Sequence, residues 1–306
     1  MRLFDLHCDT LYECYHKKRD LWQNDCHIDL CRGTALYQPW VQVFAVWMPD
    51  TLRGEAAFTQ CCDILRFGRE QMAKNAAYIT QITDGETLKQ TVTAGKNGAI
   101  LSVEGGSALA GRLDTLPVLQ ELGVKLITLT WNGGNELGNG VGSSDKSGLT
   151  PFGKEAVRAM EACGICPDVS HLNEAGFWDV LEQTSGAVLA THSVSAAVCA
   201  HPRNLTDRQF TALCQRGGLI GLNVCADQLG EQSFDRLEAH LYHYLSLGGE
   251  RHVALGLDLD GTELRPDFRG IACASLFYEH LCRKNYEESL LLRLFFGNCY
   301  DFFKRL

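Results

Sequence analysis

The chain has 306 residues, 45% of them hydrophobic, and a formal net charge of -9. That length and apolar content suit one large domain with a packed core. The acidic balance and the lack of any basic run exclude a nucleic-acid partner. No uncharged apolar stretch approaches the ~18 residues of a membrane span.

The chain opens directly on an apolar run with charges inside it, not on a basic segment followed by an apolar one. No signal peptide is expected, and the expected location is cytoplasmic. Short apolar runs then recur at 3–6, 41–47, 99–103, 125–130, 166–170, 188–191, 219–223 and 253–257. Amphipathic segments lie between them at 56–75, 113–122, 151–162, 174–183, 207–215 and 233–247. Strands alternating with helices predict parallel βαβ units. About eight such units predict an α/β fold of the (β/α)8 TIM-barrel type, a single domain over 1–306. Thr206 before Asp207 reads as an N-cap, and Pro151 after Thr150 suits a first helical turn. The stretch 286–306 has helical spacing and predicts a closing helix. The Gly-, Asn- and Ser-rich loop at 132–148 follows a strand, where long loops shape pockets.

Fourteen cysteines are present. Without an export signal they are expected to be reduced. Cys163-Gly164-Ile165-Cys166 matches a C-x-x-C spacing, but no second such pair completes a zinc knuckle. It is read as two small thiols around a helix-to-strand turn.

Several apolar runs close on a residue that binds metal. His7 and Asp9 are two apart, so both side chains share one face of a strand. Glu104 ends Ile100-Leu101-Ser102-Val103-Glu104 and is followed by Gly105-Gly106, which let backbone approach closely. His171 ends Asp168-Val169-Ser170-His171, and His192 ends Leu189-Ala190-Thr191-His192. Imidazoles and carboxylates at successive strand ends are what a metal site at a barrel mouth requires. Asp258, in Gly256-Leu257-Asp258-Leu259-Asp260-Gly261, sits where a carboxylate can move the proton of a metal-bound water. Asp260 is expected to point away or lie in the loop. Arg203 offers a fork for a substrate carboxylate.

These stretches, with Pro202-Arg203-Asn204-Leu205-Thr206-Asp207, resemble the membrane dipeptidase family of zinc peptidases. They stand in the family's order over nearly the whole chain. The resemblance implies two Zn²⁺ ions: one on His7 and Asp9, one on His171 and His192, with Glu104 bridging and a hydroxide between the metals. It implies Arg203 for the dipeptide carboxylate, Asp258 for the proton, hydrolysis of L-L and L-D dipeptides, and frequent homodimers. One position departs from the pattern. Trp131, in Leu129-Thr130-Trp131-Asn132, stands where well-known members carry a His that contacts substrate. Indole offers one donor and cannot act as imidazole does. Trp131 and Asn132 are therefore the expected substrate contacts there. The same departure motivates a second reading: hydrolysis of another amide, a lactam or a lactone. A non-catalytic binding protein would have lost ligands, and all five are present.

Overall fold

The computed structural model describes residues 1–305. Its strands are β1 (Leu3–Asp5), β2 (Trp40–Trp47), β3 (Ile79–Gln81), β4 (Asn97–Glu104), β5 (Val124–Thr128), β6 (Cys166–Asp168), β7 (Ile220–Leu222) and β8 (Val253–Leu255). All pair in parallel, in the order β6-β5-β4-β2-β1-β8-β7, with β3 on β4. The expected run at 188–191 is not a full strand. It pairs through isolated parallel bridges, Leu189 with Asp168 of β6 and Ala190 with Ile220 of β7.

β3 was not expected from the sequence. Its three residues pair with Asn97–Ala99 at the start of β4, while β5 pairs with Leu101–Glu104 further along. β2 pairs along most of β4, so β3 and β5 share the other edge at different heights.

Side-chain alternation along the strands sorts the apolar residues into two clusters. One face carries Phe4, Leu6, Val41, Val43, Ile100, Leu126 and Leu189. The opposite face carries Leu3, Phe44, Val46, Leu101, Val103 and Ile127, covered by the helices. Parallel strands buried on both faces explain why the runs read as nearly continuous apolar stretches.

Helices Pro151–Ala162, Glu174–Gln183 and Asp207–Gln215 coincide with the predicted segments. Each starts on a side-chain cap: Thr150 to Gly153, Asn173 to Gly176, and a reciprocal Thr206–Gln209 capping box. Helices Thr10–Lys17, Leu30–Leu36, Gly85–Thr93 and Cys273–Arg283 are additional. The predicted closing helix is interrupted. Helical turns Glu288–Leu292 and Asn298–Phe303 flank a π-helical turn Arg293–Gly297; Leu306 lies outside the described residues. This segment delivers Phe296, Phe302 and Phe303 to the cluster around Phe4. Phe4 stacks on Phe303 with centroids 5.2 Å apart.

All fourteen cysteines are free thiols. Cys163 caps the end of Pro151–Ala162 and Cys166 opens β6, the helix-to-strand turn expected of that pair. Among the described residues, no helix is long and apolar enough to cross a membrane.

Candidate metal centre

His7, Asp9, Glu104, His171, His192 and Asp258 all lie at or just beyond the C-terminal ends of the strands. Glu104 is the last residue of β4. His7 and Asp9 follow β1, and their backbones pair onward: Asp258 N–H donates to His7 O and Asp9 N–H to Leu259 O. Val169 belongs to the helix-covered face, so simple alternation would send His171 the same way. His171 instead has a left-handed φ of 68° and its ring joins the cluster. Asp258 is also left-handed, at φ 61°. Such backbone is rare for residues other than glycine and collects at functional sites.

The six side chains converge. His7 Nε2 lies 3.4 Å from Asp9 Oδ2, 3.6 Å from Glu104 Oε2 and 3.7 Å from Asp258 Oδ1. Glu104 Oε1 lies 2.9 Å from His171 Nε2 and 3.4 Å from His192 Nε2. Glu104 therefore turns one oxygen to His7 and the other to the two remaining imidazoles. His171 Nε2 and His192 Nε2 face each other at 2.9 Å.

The proton positions of those two rings follow from their far sides. Asp168 accepts at Oδ1 from Ser170 N–H and Thr191 N–H. At Oδ2 it accepts from the hydroxyls of Thr128 (2.6 Å) and Thr191 (2.5 Å). Thr191 has thus spent its one hydroxyl proton and can only accept from His192 Nδ1, 2.9 Å away. Asn132 Oδ1 accepts from His171 Nδ1 at 2.9 Å. Both rings carry their proton on Nδ1, so both Nε2 lone pairs point at each other and at a Glu104 oxygen. Three acceptors meeting with no proton among them repel one another; a cation between them reverses the sign. On the other side, His7 Nε2 and Asp9 Oδ1 are buried with no hydrogen-bond partner among the described residues. His7, Glu104 and His192, and His7, Asp9 and Asp258, form groups whose ligand atoms could hold a metal ion.

The electrostatics agree. Burial works against a charged His7, yet Glu104 and Asp9 outweigh it and hold its pKa well above the ordinary value. Burial, then Arg203, pushes His171 down to about 4, and burial, then His7, holds His192 well below its ordinary value. Burial, then Glu104, raises Asp9 to about 6. Burial raises Asp258 to about 8, with Asp9 and Glu104 adding to the rise. Crowded carboxylates of this kind are what a multivalent cation neutralises.

A cavity of about 690 Å³ opens over these residues, lined among others by Trp131, Asn132 and Arg203. Arg203 is 6% exposed, and its Nη2 donates to His192 O at 3.4 Å. Its buried Nε has no partner among the described residues. Asn132 lines the cavity, but its side-chain oxygen is held by His171, a link the sequence did not suggest. Asp260 lies in the loop beyond Asp258 and also lines the cavity, its carboxylate accepting from Thr10 Oγ1 and His27 N–H, each at 2.6 Å. Three residues escaped the sequence reading: Asp168, Thr191 and Gly261. A Cβ on Gly261 would fall on Asp9 Oδ2 and Asp258 Oδ1, so only glycine fits there. Its signal was available as the Asp-Gly that closes the Asp258 motif.

Residues 1–305 match the family model described as membrane dipeptidase, peptidase family M19. The chain belongs to that family of metallopeptidases. It is 31% identical over 246 residues to an uncharacterized Klebsiella pneumoniae protein from the region 5′ of pqqA, covering 76% of this chain and 87% of that one. It is 29% identical over 198 residues to an uncharacterized dipeptidase of Schizosaccharomyces pombe, covering 62% and 47%. The crystal structure of dipeptidase AC, a family M19 metallopeptidase, superposes with a TM-score of 0.93 at 25% identity over 100% of this chain and 98% of that one. A Rhodobacter sphaeroides metallopeptidase, liganded with a phosphinate mimic of L-Ala-D-Ala, has the same fold: TM-score 0.92, 24% identity, coverage 100% and 99%.

Proposed function

We propose that this chain is a dipeptidase with two zinc ions, cleaving L-L and L-D dipeptides, on a single (β/α)8 barrel closed through Leu189 and Ala190. The observation that carries the reading is Glu104, whose two oxygens are divided between His7 and the His171–His192 pair. His7, Asp9 and Glu104 Oε2 would hold one ion; His171, His192 and Glu104 Oε1 would hold the other. Bound metal would supply a Lewis acid for the scissile carbonyl and would lower the pKa of a bound water to about 7, so that hydroxide is available near neutrality.

The protein's own groups do the rest. Arg203, buried with a free Nε, holds the C-terminal carboxylate of the dipeptide and so favours short substrates. Asp258 stands beside His7 on the cavity wall, where it takes the proton of the attacking water and delivers it to the leaving amine. Thr191 and Asn132 keep the two imidazoles in the tautomer that presents Nε2.

The test is elemental analysis of the purified protein together with amino-acid release from L-Ala-L-Ala, L-Ala-D-Ala and D-Ala-D-Ala. About two metals per chain and cleavage of the first two peptides are expected. Glu104→Gln is expected to lower metal content and abolish turnover. No metal and no cleavage after added Zn²⁺ would overturn the assignment. Trp131 on the cavity wall favours one second reading, hydrolysis of another amide, a lactam or a lactone. Full metal content without dipeptide cleavage would select it.

A further inference from the structure

Three aromatic side chains form one continuous wall of the cavity. Tyr12 stands in helix Thr10–Lys17 after β1, Trp47 ends β2, and Trp131 follows β5. All three are half-buried and line the cavity. Their rings meet edge to face: Tyr12 and Trp47 at 4.9 Å and 74°, Trp47 and Trp131 at 5.0 Å and 72°. That geometry is the preferred one for aromatic pairs.

The wall is braced from behind. Asp50 Oδ2 accepts from Gly133 N–H, and Arg53 Nη2 donates to Gly134 O, each at 2.7 Å. These bonds tie the loop after β2 to the loop after β5, and hence Trp47 to Trp131. His16 packs on Tyr12 with centroids 4.2 Å apart. A surface braced in this way loses little freedom when a ligand side chain lies against it.

The wall also has a fixed place relative to Arg203. Arg203 follows the Leu189–Ala190 segment, which is bridged to β6 on one side and β7 on the other. From that segment, β2 is the fourth strand by either route, through β6, β5 and β4 or through β7, β8 and β1. Trp47 and Arg203 therefore face each other across the metal centre. A dipeptide with its carboxylate on Arg203 and its amide over Glu104 extends its N-terminal residue to the aromatic side. That residue carries a free ammonium, which the π faces of the wall favour.

We propose that Tyr12, Trp47 and Trp131 form the subsite for the N-terminal residue and select a large apolar or aromatic side chain there. The inference rests on the dipeptidase reading and narrows it. It is tested by comparing kcat/KM of the zinc-loaded protein on Phe-Ala, Leu-Ala, Ala-Ala, Ala-Phe and Ala-Leu. Phe-Ala and Leu-Ala are expected to exceed Ala-Ala by roughly 10- to 100-fold, and Ala-Phe and Ala-Leu by less than about threefold. Trp47→Ala and Tyr12→Ala are expected to pull the Phe-Ala to Ala-Ala ratio toward one. Tyr12 is on a surface helix, so its variant decides if Trp47→Ala fails to fold.

A flat profile, a preference set by the C-terminal residue, or unchanged ratios in folded variants would each overturn the subsite while leaving a dipeptidase. Hydrolysis of none of the five peptides would remove the dipeptidase reading, and the subsite with it.

Discussion

At the N-terminal ends of the strands, Phe4 stacks on Phe303, and Phe296 and Phe302 from the C-terminal segment complete an apolar floor. At the C-terminal ends, the same β1 leads within a few residues to His7 and Asp9, whose buried Nε2 and Oδ1 lack partners among the described residues. The floor satisfies itself: apolar rings are fully content with one another. The upper end does not, because its acceptors face acceptors. Stability is thus supplied at one end of each strand and spent as unsatisfied polarity at the other, a polarity that a ligand must complete.

Variants at the two ends should therefore fail in different ways. The largest effect belongs to the upper end. Asp258→Asn is expected to lower kcat by about 10²- to 10⁴-fold, with metal content nearly intact by elemental analysis. Wild-type turnover in that variant would sink the proton role. At the floor, Phe4→Ala should cost about 3–5 kcal/mol in denaturant unfolding, while the folded fraction keeps its metal stoichiometry. Loss of metal from a still-folded Phe4→Ala protein would mean that the two ends are coupled.

Smaller changes probe how the upper end is held. Thr191→Val removes the acceptor for His192 Nδ1–H. Metal affinity, read by chelator competition, should weaken about 10- to 100-fold, and Thr191→Ser should restore it. Equal affinities in all three proteins would show that the tautomer is set elsewhere.

His240 supplies the contrast within one residue type. Its Nδ1 accepts from Ser195 N–H at 3.0 Å, and its Nε2 faces Leu229 O at 3.4 Å. Both nitrogens are occupied, so no metal is needed to explain it. Burial pushes its pKa down from 6.5 to about 4. The unfolded chain then takes a proton below pH 6.5 that the folded chain refuses until about pH 4. Stability should fall as pH drops through that window, by at most about 1.4 kcal/mol per pH unit from this group. The Tm of His240→Gln should show a shallower fall over the same range; an identical fall would remove His240 as its source.

Much of the upper end was legible because buried parallel strands read as apolar runs, and a polar residue closing such a run is conspicuous. Glu104 after Ile100-Leu101-Ser102-Val103 is the clearest example. What stayed hidden depended on distance in sequence. Asp168 lies 23 residues from Thr191, and Asn132 lies 39 from His171, so nothing local announced either pairing. β3 stayed hidden because three residues carry no periodicity. The interruption of the closing helix stayed hidden because a single π-helical turn, Arg293–Gly297, carries no residue signal such as Pro that would announce it.

The left-handed backbone at His171 and Asp258 has a bearing on how this protein can be changed. Glycine would sit more comfortably at either position, so a selection for heat resistance alone would be drawn to replace them. Each such gain would delete an imidazole or a carboxylate from the centre. Thermostability screens on this scaffold therefore need an activity filter from the first round, because their easiest early winners are the proteins that have stopped working.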